Sequence, residues 1–221
     1  MRLGLLLLLF SLCVPLQAWQ ENRVSSDPQE VSTYVRDVPD SSVNAFRGVV
    51  TLDANVMQLL AISAAVDTFP EWVFQAKSAQ VIEHPTSATR VAFNGIWPVS
   101  DRDVVVSNSL SQASDTGAVT LRSQLLDGAE EHSGYVRIPA FDNRFIFTPL
   151  ADGMTRVEFE TFVNPGGRVP AWLSNLISNR APLVTLEGMK AQLEKDRFQY
   201  LSADDTPHFD GVDQLDLSWW D

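Results

Sequence analysis

The chain has 221 residues, 45% of them hydrophobic and 20% charged, and its 16 basic against 28 acidic side chains give a net charge of −12. That length serves one domain with a sizeable core and is short for two, and the composition is too apolar for a disordered chain. So acidic a surface repels phosphate backbones, which excludes nucleic acid as a partner; it disfavours a permanent grip on anionic membrane and leaves only transient membrane contact.

Residues 1–18 read as a signal peptide. Met1-Arg2 gives a basic start, LGLLLLLFSLCV (3–14) an apolar run, Pro15 a break, and Leu16-Gln17-Ala18 a cleavage site after Ala18. The run is shorter than the roughly 20 residues of a membrane-spanning helix. Cys13, the one cysteine, lies inside it, so the processed chain has no thiol for a disulfide, a nucleophile or a metal. With no Asn-x-Ser/Thr acceptor in the sequence, the expectation is a secreted protein of the bacterial periplasm.

Residues 19–42 form an N-terminal helix and linker. QEVSTYVR (29–36) is predicted as a short helix capped near Ser26 or Asp27, and 37–42, with Pro39, as the linker. The main domain spans 43–198. VNAFRGVVTLD (43–53) is strand-like. In 54–69 Val56, Leu59, Leu60, Ser63 and Val66 recur at three and four, which predicts an amphipathic helix ended by Pro70.

From Trp72 to Val163 the period changes to two. WVFQAKSAQVIEH, TRVAFNGIW, RDVVVSNSLSQ, AVTLRSQLL, YVRIP, RFIFTPL and TRVEFETFV are candidate strands, separated by short turns such as SDTG and ADG. Short connections mean hairpins and an antiparallel meander. In the last strand Val157, Phe159, Thr161 and Val163 share one face, and Arg156, Glu158 and Glu160 the other. The dry face needs a cover. The apolar surface left to supply it is on 169–198, where Trp172, Leu173, Leu176 and Ile177, then Leu183, Leu186, Met189 and Leu193, recur helically. Pro182 either kinks or restarts that helix. The fold expected is α+β: one curved antiparallel sheet wrapped around a long C-terminal helix, with Gly166 and Gly167 freeing the turn between them. Arg102 and Asp103 read as an ion pair that fixes a turn. Residues 199–221 are an acidic tail, either an appendage or a docking peptide anchored by Trp219 and Trp220.

The turn Trp97-Pro98-Val99-Ser100-Asp101-Arg102-Asp103, then Tyr135-Val136-Arg137, then NPGGRVPAWLSN (164–175) with PLVTLEGMKAQL (182–193), together resemble the START lipid-transfer family in order and spacing. The resemblance covers about 43–197. It implies a helix-grip, Bet v 1-like fold with a tunnel between sheet and helix, and binding and transfer of a lipid or other hydrophobic ligand there. Several sterol-binding members have an acid–base pair on two neighbouring central strands. Here 91–96 holds no acid and Asn108 stands where the base is expected, which argues against a sterol. Asn94, Asn108 and Arg137 remain as candidate head-group contacts, with Arg137 able to face either the tunnel or solvent. Phe93, Phe145, Phe147, Phe159 and Val163 on strands, with Leu183, Leu186 and Met189 on the helix, are the candidate apolar lining.

His84, His132 and His208 stand at no metal-binding spacing, and no nucleophile elbow, phosphate loop or dinucleotide fingerprint occurs. No catalytic residue, metal or cofactor is assigned. Two other readings stay open: a cyclase-like enzyme of the same fold using Arg137 and Tyr135 for acid–base work, and a secreted interaction module whose tail binds a partner of unknown chemistry.

Overall fold

A computed structural model of the chain describes residues 18–82, 88–95, 97, 99–167, 169–199 and 211–220. The signal-peptide reading therefore lies outside the described residues apart from Ala18, as do His84 and His208.

The N-terminal segment is extended, not helical. Strands β1 (Gln20–Arg23) and β2 (Ser32–Arg36) replace the expected helix. β2 pairs antiparallel with β3 (Ala45–Leu52), from Ser32 opposite Val49 to Arg36 opposite Ala45. The reason is visible in the residues. Val31 and Thr33 are buried on one side of an alternating, β-branched run. A helix of eight residues would be marginal alone, whereas as a strand it pairs with the edge of β3 on one side and with β1 on the other.

After β3 the chain enters α1 (Val56–Ala64). Asn55 caps it reciprocally: its Oδ1 accepts from the Gln58 amide at 2.9 Å, and Gln58 Oε1 accepts from the Asn55 amide at 3.0 Å. The expected stripe, Val56, Leu59, Leu60 and Ser63, is buried. Pro70 does not end this helix; it opens a short one, α2 (Phe69–Trp72), where its missing N–H costs nothing. Trp72 therefore ends a helix instead of starting a strand.

Then follow β4 (Ala76–Ile82), β5 (Ala88–Phe93), β6 (Arg102–Gln112), β7 (Val119–Leu125), the two-residue β8 (Val136–Arg137), β9 (Ala140–Pro149) and β10 (Thr155–Asn164). They join β1–β3 in one sheet of order β1-β2-β3-β10-β9-β7-β6-β5-β4. Every pairing along that path is antiparallel, while β8 stands off it, parallel to β6. The meander is thus as expected from β4 to β10 except at YVRIP (135–139), which gives only β8 beside β6, and β10 returns to close against β3.

The C-terminal helix comes in pieces. α3 (Ala171–Ser178) and α4 (Ala181–Gln192) are broken at Asn179-Arg180, with Pro182 in the first turn of α4, so the proline restarts the helix. A four-residue turn, α5 (Asp196–Gln199), follows. α4 drops Leu186 and Met189 into the main core with Val50, Leu52, Leu59, Leu60, Phe147 and Val157. It lies so close to α2 that a Cβ on Gly188 would sit 2.7 Å from the Trp72 carbonyl oxygen.

The described part of the tail folds back on its own chain. Gln112 and the Asp216 backbone exchange two hydrogen bonds, at 3.1 and 2.7 Å. The Trp219 ring covers Gly117, where a Cβ would come within 2.5 Å of it. Trp219, the anchor in the docking-peptide reading of the tail, is seated in cis on the β6–β7 hairpin.

Candidate functional site

A cavity of about 220 Å³ opens between the concave face of the sheet and the helices. It exists because the helical cover is broken. α4 packs down at Leu186 and Met189, while the separate α3 sets Ser174 and Ser178 over the cavity and is tied through Asn175 to the Asn44 amide at 3.0 Å. The floor is formed by β5, β6, β7, β9 and β10. Ser174 and Ser178 of α3, Ala181 and Thr185 of α4, and residues 66–75 form the cover. Phe145 and Phe159 stack in the floor with ring centroids 4.4 Å apart.

A polar row crosses this apolar floor. Asn108 on β6 lies opposite Ser123 on β7, Ser123 opposite Asn143 on β9, and Asn143 opposite Thr161 on β10. All four line the cavity, together with Thr89 on β5. Three hydrogen bonds tie them together. Asn108 Nδ2 donates to Thr89 Oγ1 at 3.1 Å, Ser123 Oγ to Asn108 Oδ1 at 2.7 Å, and Thr161 Oγ1 to Asn143 Oδ1 at 2.7 Å. The position expected to hold a base in sterol binders is thus part of a neutral Thr89–Asn108 pair.

Phe93, Asn94, Asn108, Phe145, Phe159 and Val163, all expected near a ligand, line the cavity. Five other expected residues do not. Phe147 has the right strand parity but lies too deep, fully buried against the α1 side of the core. Leu186 and Met189 are fully buried in the same cluster, and Leu183 packs against it. Helical periodicity identified the buried side of α4 but not that this side meets core instead of cavity.

Arg137 is the larger correction. It lies directly opposite Asp103 in the β8–β6 pairing and points away from the cavity. Its Nε and NH2 donate to Asp103 at 2.9 and 3.2 Å, and its NH1 and NH2 to the carbonyls of Ala129 and Glu130 at 3.3 and 2.6 Å. Arg90 donates to the same carboxylate at 2.9 Å, and its guanidinium covers the Tyr135 ring. Burial pushes the Asp103 carboxyl up, but the hydrogen bonds and charges of Arg137 and Arg90 overcome this and hold it below the usual carboxylate range. Arg137 and Tyr135, the pair a cyclase-like reading would use, therefore sit on the convex side of the sheet.

Asp103 is engaged on that convex side, so Arg102 is not its partner. Successive strand residues face opposite ways, and Arg102 lines the cavity. The signal was present in the sequence: counting back by twos from Asn108 passes Val106 and Val104 and reaches Arg102. The small polar residues Thr89, Ser123, Asn143 and Thr161 were missed because each alone reads as an ordinary strand residue.

One side of the cover is wetted on the wrong face. α3 turns Ser174 and Ser178 inward and Trp172 and Leu176 outward, where they are 68% and 59% exposed. In the β5–β6 loop, between cavity-lining Gly95 and Val99, Trp97 is 90% exposed. That loop is drawn tight by Asp101, which accepts from the Gly95 amide at 2.8 Å and pairs with Lys77 at 2.7 Å.

Comparisons with known proteins agree with this architecture. A START domain family model matches residues 9–197. An uncharacterised protein of Pseudomonas aeruginosa is 27% identical over 175 residues, covering 78% of this chain and 87% of its own. A crystal structure of a STAR-related lipid transfer protein fragment from Xanthomonas axonopodis superposes with a TM-score of 0.71 at 27% identity, over 80% of this chain and 99% of that one. Human StAR-related lipid transfer protein 5 shares the fold, with a TM-score of 0.67 at 15% identity over 82% of this chain and 88% of its own. The chain belongs to the START domain family.

Proposed function

We propose that this protein binds a single-chain or similarly slender lipid in the cavity under α3 and carries it between membranes. The observation that carries the reading is the cavity itself, an apolar chamber whose few floor polar groups are tied together by three hydrogen bonds. An apolar chain can lie across Thr89, Asn108, Ser123 and Thr161 without breaking the hydrogen bonds they make. Left dry and empty, about 220 Å³ would cost on the order of 5 kcal/mol at about 24 cal/mol per Å³, a large share of a domain's stability. Each buried CH2 returns roughly 0.8 kcal/mol. The START family and the named lipid-transfer protein from Xanthomonas support the same class of ligand.

Loading takes place at the exposed end. Trp97, Trp172 and Leu176 form an apolar rim that dips into a bilayer surface, and α3 swings on the Gly166-Gly167 turn, both of whose residues have positive φ. Ser174 and Ser178 let α3 lift from the cavity with little apolar surface lost. Among the described residues no helix is long and apolar enough to cross a membrane, which suits brief docking. The leader-like residues 1–18 support work outside the cytoplasm, in the periplasm of a bacterium.

The test is native mass spectrometry and organic extraction of the full chain purified without detergent. Recovery of a stoichiometric hydrophobic molecule is expected. Empty protein that also fails to take up lipid from vesicles would end the proposal.

A further inference from the structure

Each side-chain oxygen of the floor's polar row takes part in a hydrogen bond, whereas two buried polar atoms at the entrance and cover have no partner among the described residues. Arg102 is buried, 8% exposed, and lines the cavity, yet its Nε has no hydrogen-bond partner among the described residues. Its NH1 donates to the Ser100 carbonyl, and its NH2 lies under the Gly166-Gly167 turn, 3.9 Å from where a Gly167 Cβ would be. Ser174 of α3 is 4% exposed, lines the same cavity, and its Oγ is also unpaired.

The carboxylates that could neutralise Arg102 are committed elsewhere. Asp101 holds Lys77 and the Gly95 amide. Asp103, across the strand, holds Arg90 and Arg137. Burial lowers the Arg102 pKa and the Asp101 charge offsets this only in part, but a guanidinium stays protonated at neutral pH. A buried cation without an anion is costly, and such a charge is paired when the site is complete. The planar fork of arginine matches a carboxylate or a phosphate through two parallel hydrogen bonds.

We propose that Arg102 reads the head group of the bound molecule, and that the ligand this cavity prefers is an acidic lipid, with a carboxylate or phosphate at Arg102 and its apolar chain running inward over Phe145 and Phe159. The proposal rests on the carrier reading above and narrows its ligand class. Ser174 Oγ is a further unpaired polar atom on the cover of the same cavity. Asn108 is six residues along β6 from Arg102 in the same inward row, about 20 Å at the usual strand rise. The chain therefore meets the neutral polar row only well beyond its head group. The rim carries Arg102 while the surface is acidic overall, so the site selects the anion by a local contact and not by long-range attraction.

The experiment uses the full chain, delipidated, and three probes with one tail: hexadecanoate, hexadecyl phosphate and hexadecanol. Affinities are read by calorimetry in wild type and in Arg102→Met. At least one anionic probe should bind wild type about tenfold or more tighter than the alcohol, the effect of a charge-assisted pair. Arg102→Met should erase that preference and leave hexadecanol within about twofold. A preference confined to hexadecanoate or to hexadecyl phosphate supports the proposal and identifies the acid. Equal binding of all three by wild type overturns it, as does an anion preference that survives Arg102→Met. Should Arg102→Met fail to fold, the wild-type series decides alone. Failure of every probe, the alcohol included, removes the carrier reading itself.

Discussion

Arg137 and Asp103 face each other across the short parallel pairing of β8 with β6 and share two hydrogen bonds, Nε to Oδ1 at 2.9 Å and NH2 to Oδ2 at 3.2 Å. The same guanidinium holds two carbonyls of the loop before β8. Arg137→Ala should therefore lower stability by about 3 kcal/mol, because it strips a partner from a buried carboxylate. Chemical denaturation measures this, and ligand selectivity should be unchanged. A loss of ligand binding with normal stability would place Arg137 in the site after all.

Acid should act through the same carboxylate. Arg137 and Arg90 hold Asp103 low against its burial, and Arg122 holds Asp142 low in the same way. An unfolded Asp titrates near about 3.9. With lower folded values, the stability these pairs contribute is complete above that pH and is lost as pH falls through the folded values. The melting temperature should be nearly flat from about pH 7 to pH 5 and fall below about pH 4. Asp103→Asn should be less stable at neutral pH and show a shallower acid limb.

Gly188 is where α4 passes over the backbone of Trp72. A Cβ there meets the Trp72 carbonyl oxygen at 2.7 Å and its Cα at 2.8 Å, and neither can rotate away. Gly188→Ala, which favours a helix elsewhere, should here cost about 1–3 kcal/mol. An unchanged or raised denaturation midpoint would show that α4 can slide off α2.

Exchange and binding separate at the rim. The double variant Trp172→Asp, Leu176→Asp alters residues that face solvent and do not line the cavity. Transfer of a fluorescent lipid between vesicles should slow by about tenfold or more, while affinity for a monomeric probe stays within about twofold. Equal transfer rates would send the ligand through another opening.

The sheet was legible in the sequence because alternation on β10 is clean: Val157, Phe159, Thr161 and Val163 can face only one layer. The N-terminal strands were not, because QEVSTYVR is too short for its periodicity to separate strand from helix, and the decision is made by the distant edge of β3. Within the site, parity located Phe93, Phe145 and Phe159 but could not give depth, so Phe147 was placed one step too shallow. Arg102 was misread through its neighbour. Adjacent opposite charges in a turn can meet, but on a strand they are directed to opposite sides of the sheet.

The pairing of β3 with β10 sets a rule for how this chain is made. Leu52 finds Thr155 only after roughly a hundred further residues have been synthesised, and a contact of that separation is slow to form. Until then the edge of β3 that faces β10 has no partner strand, although β2 already holds the other edge. Closing the sheet between its N-terminal and C-terminal parts is therefore a late step of folding, reached only when β10 exists to receive β3.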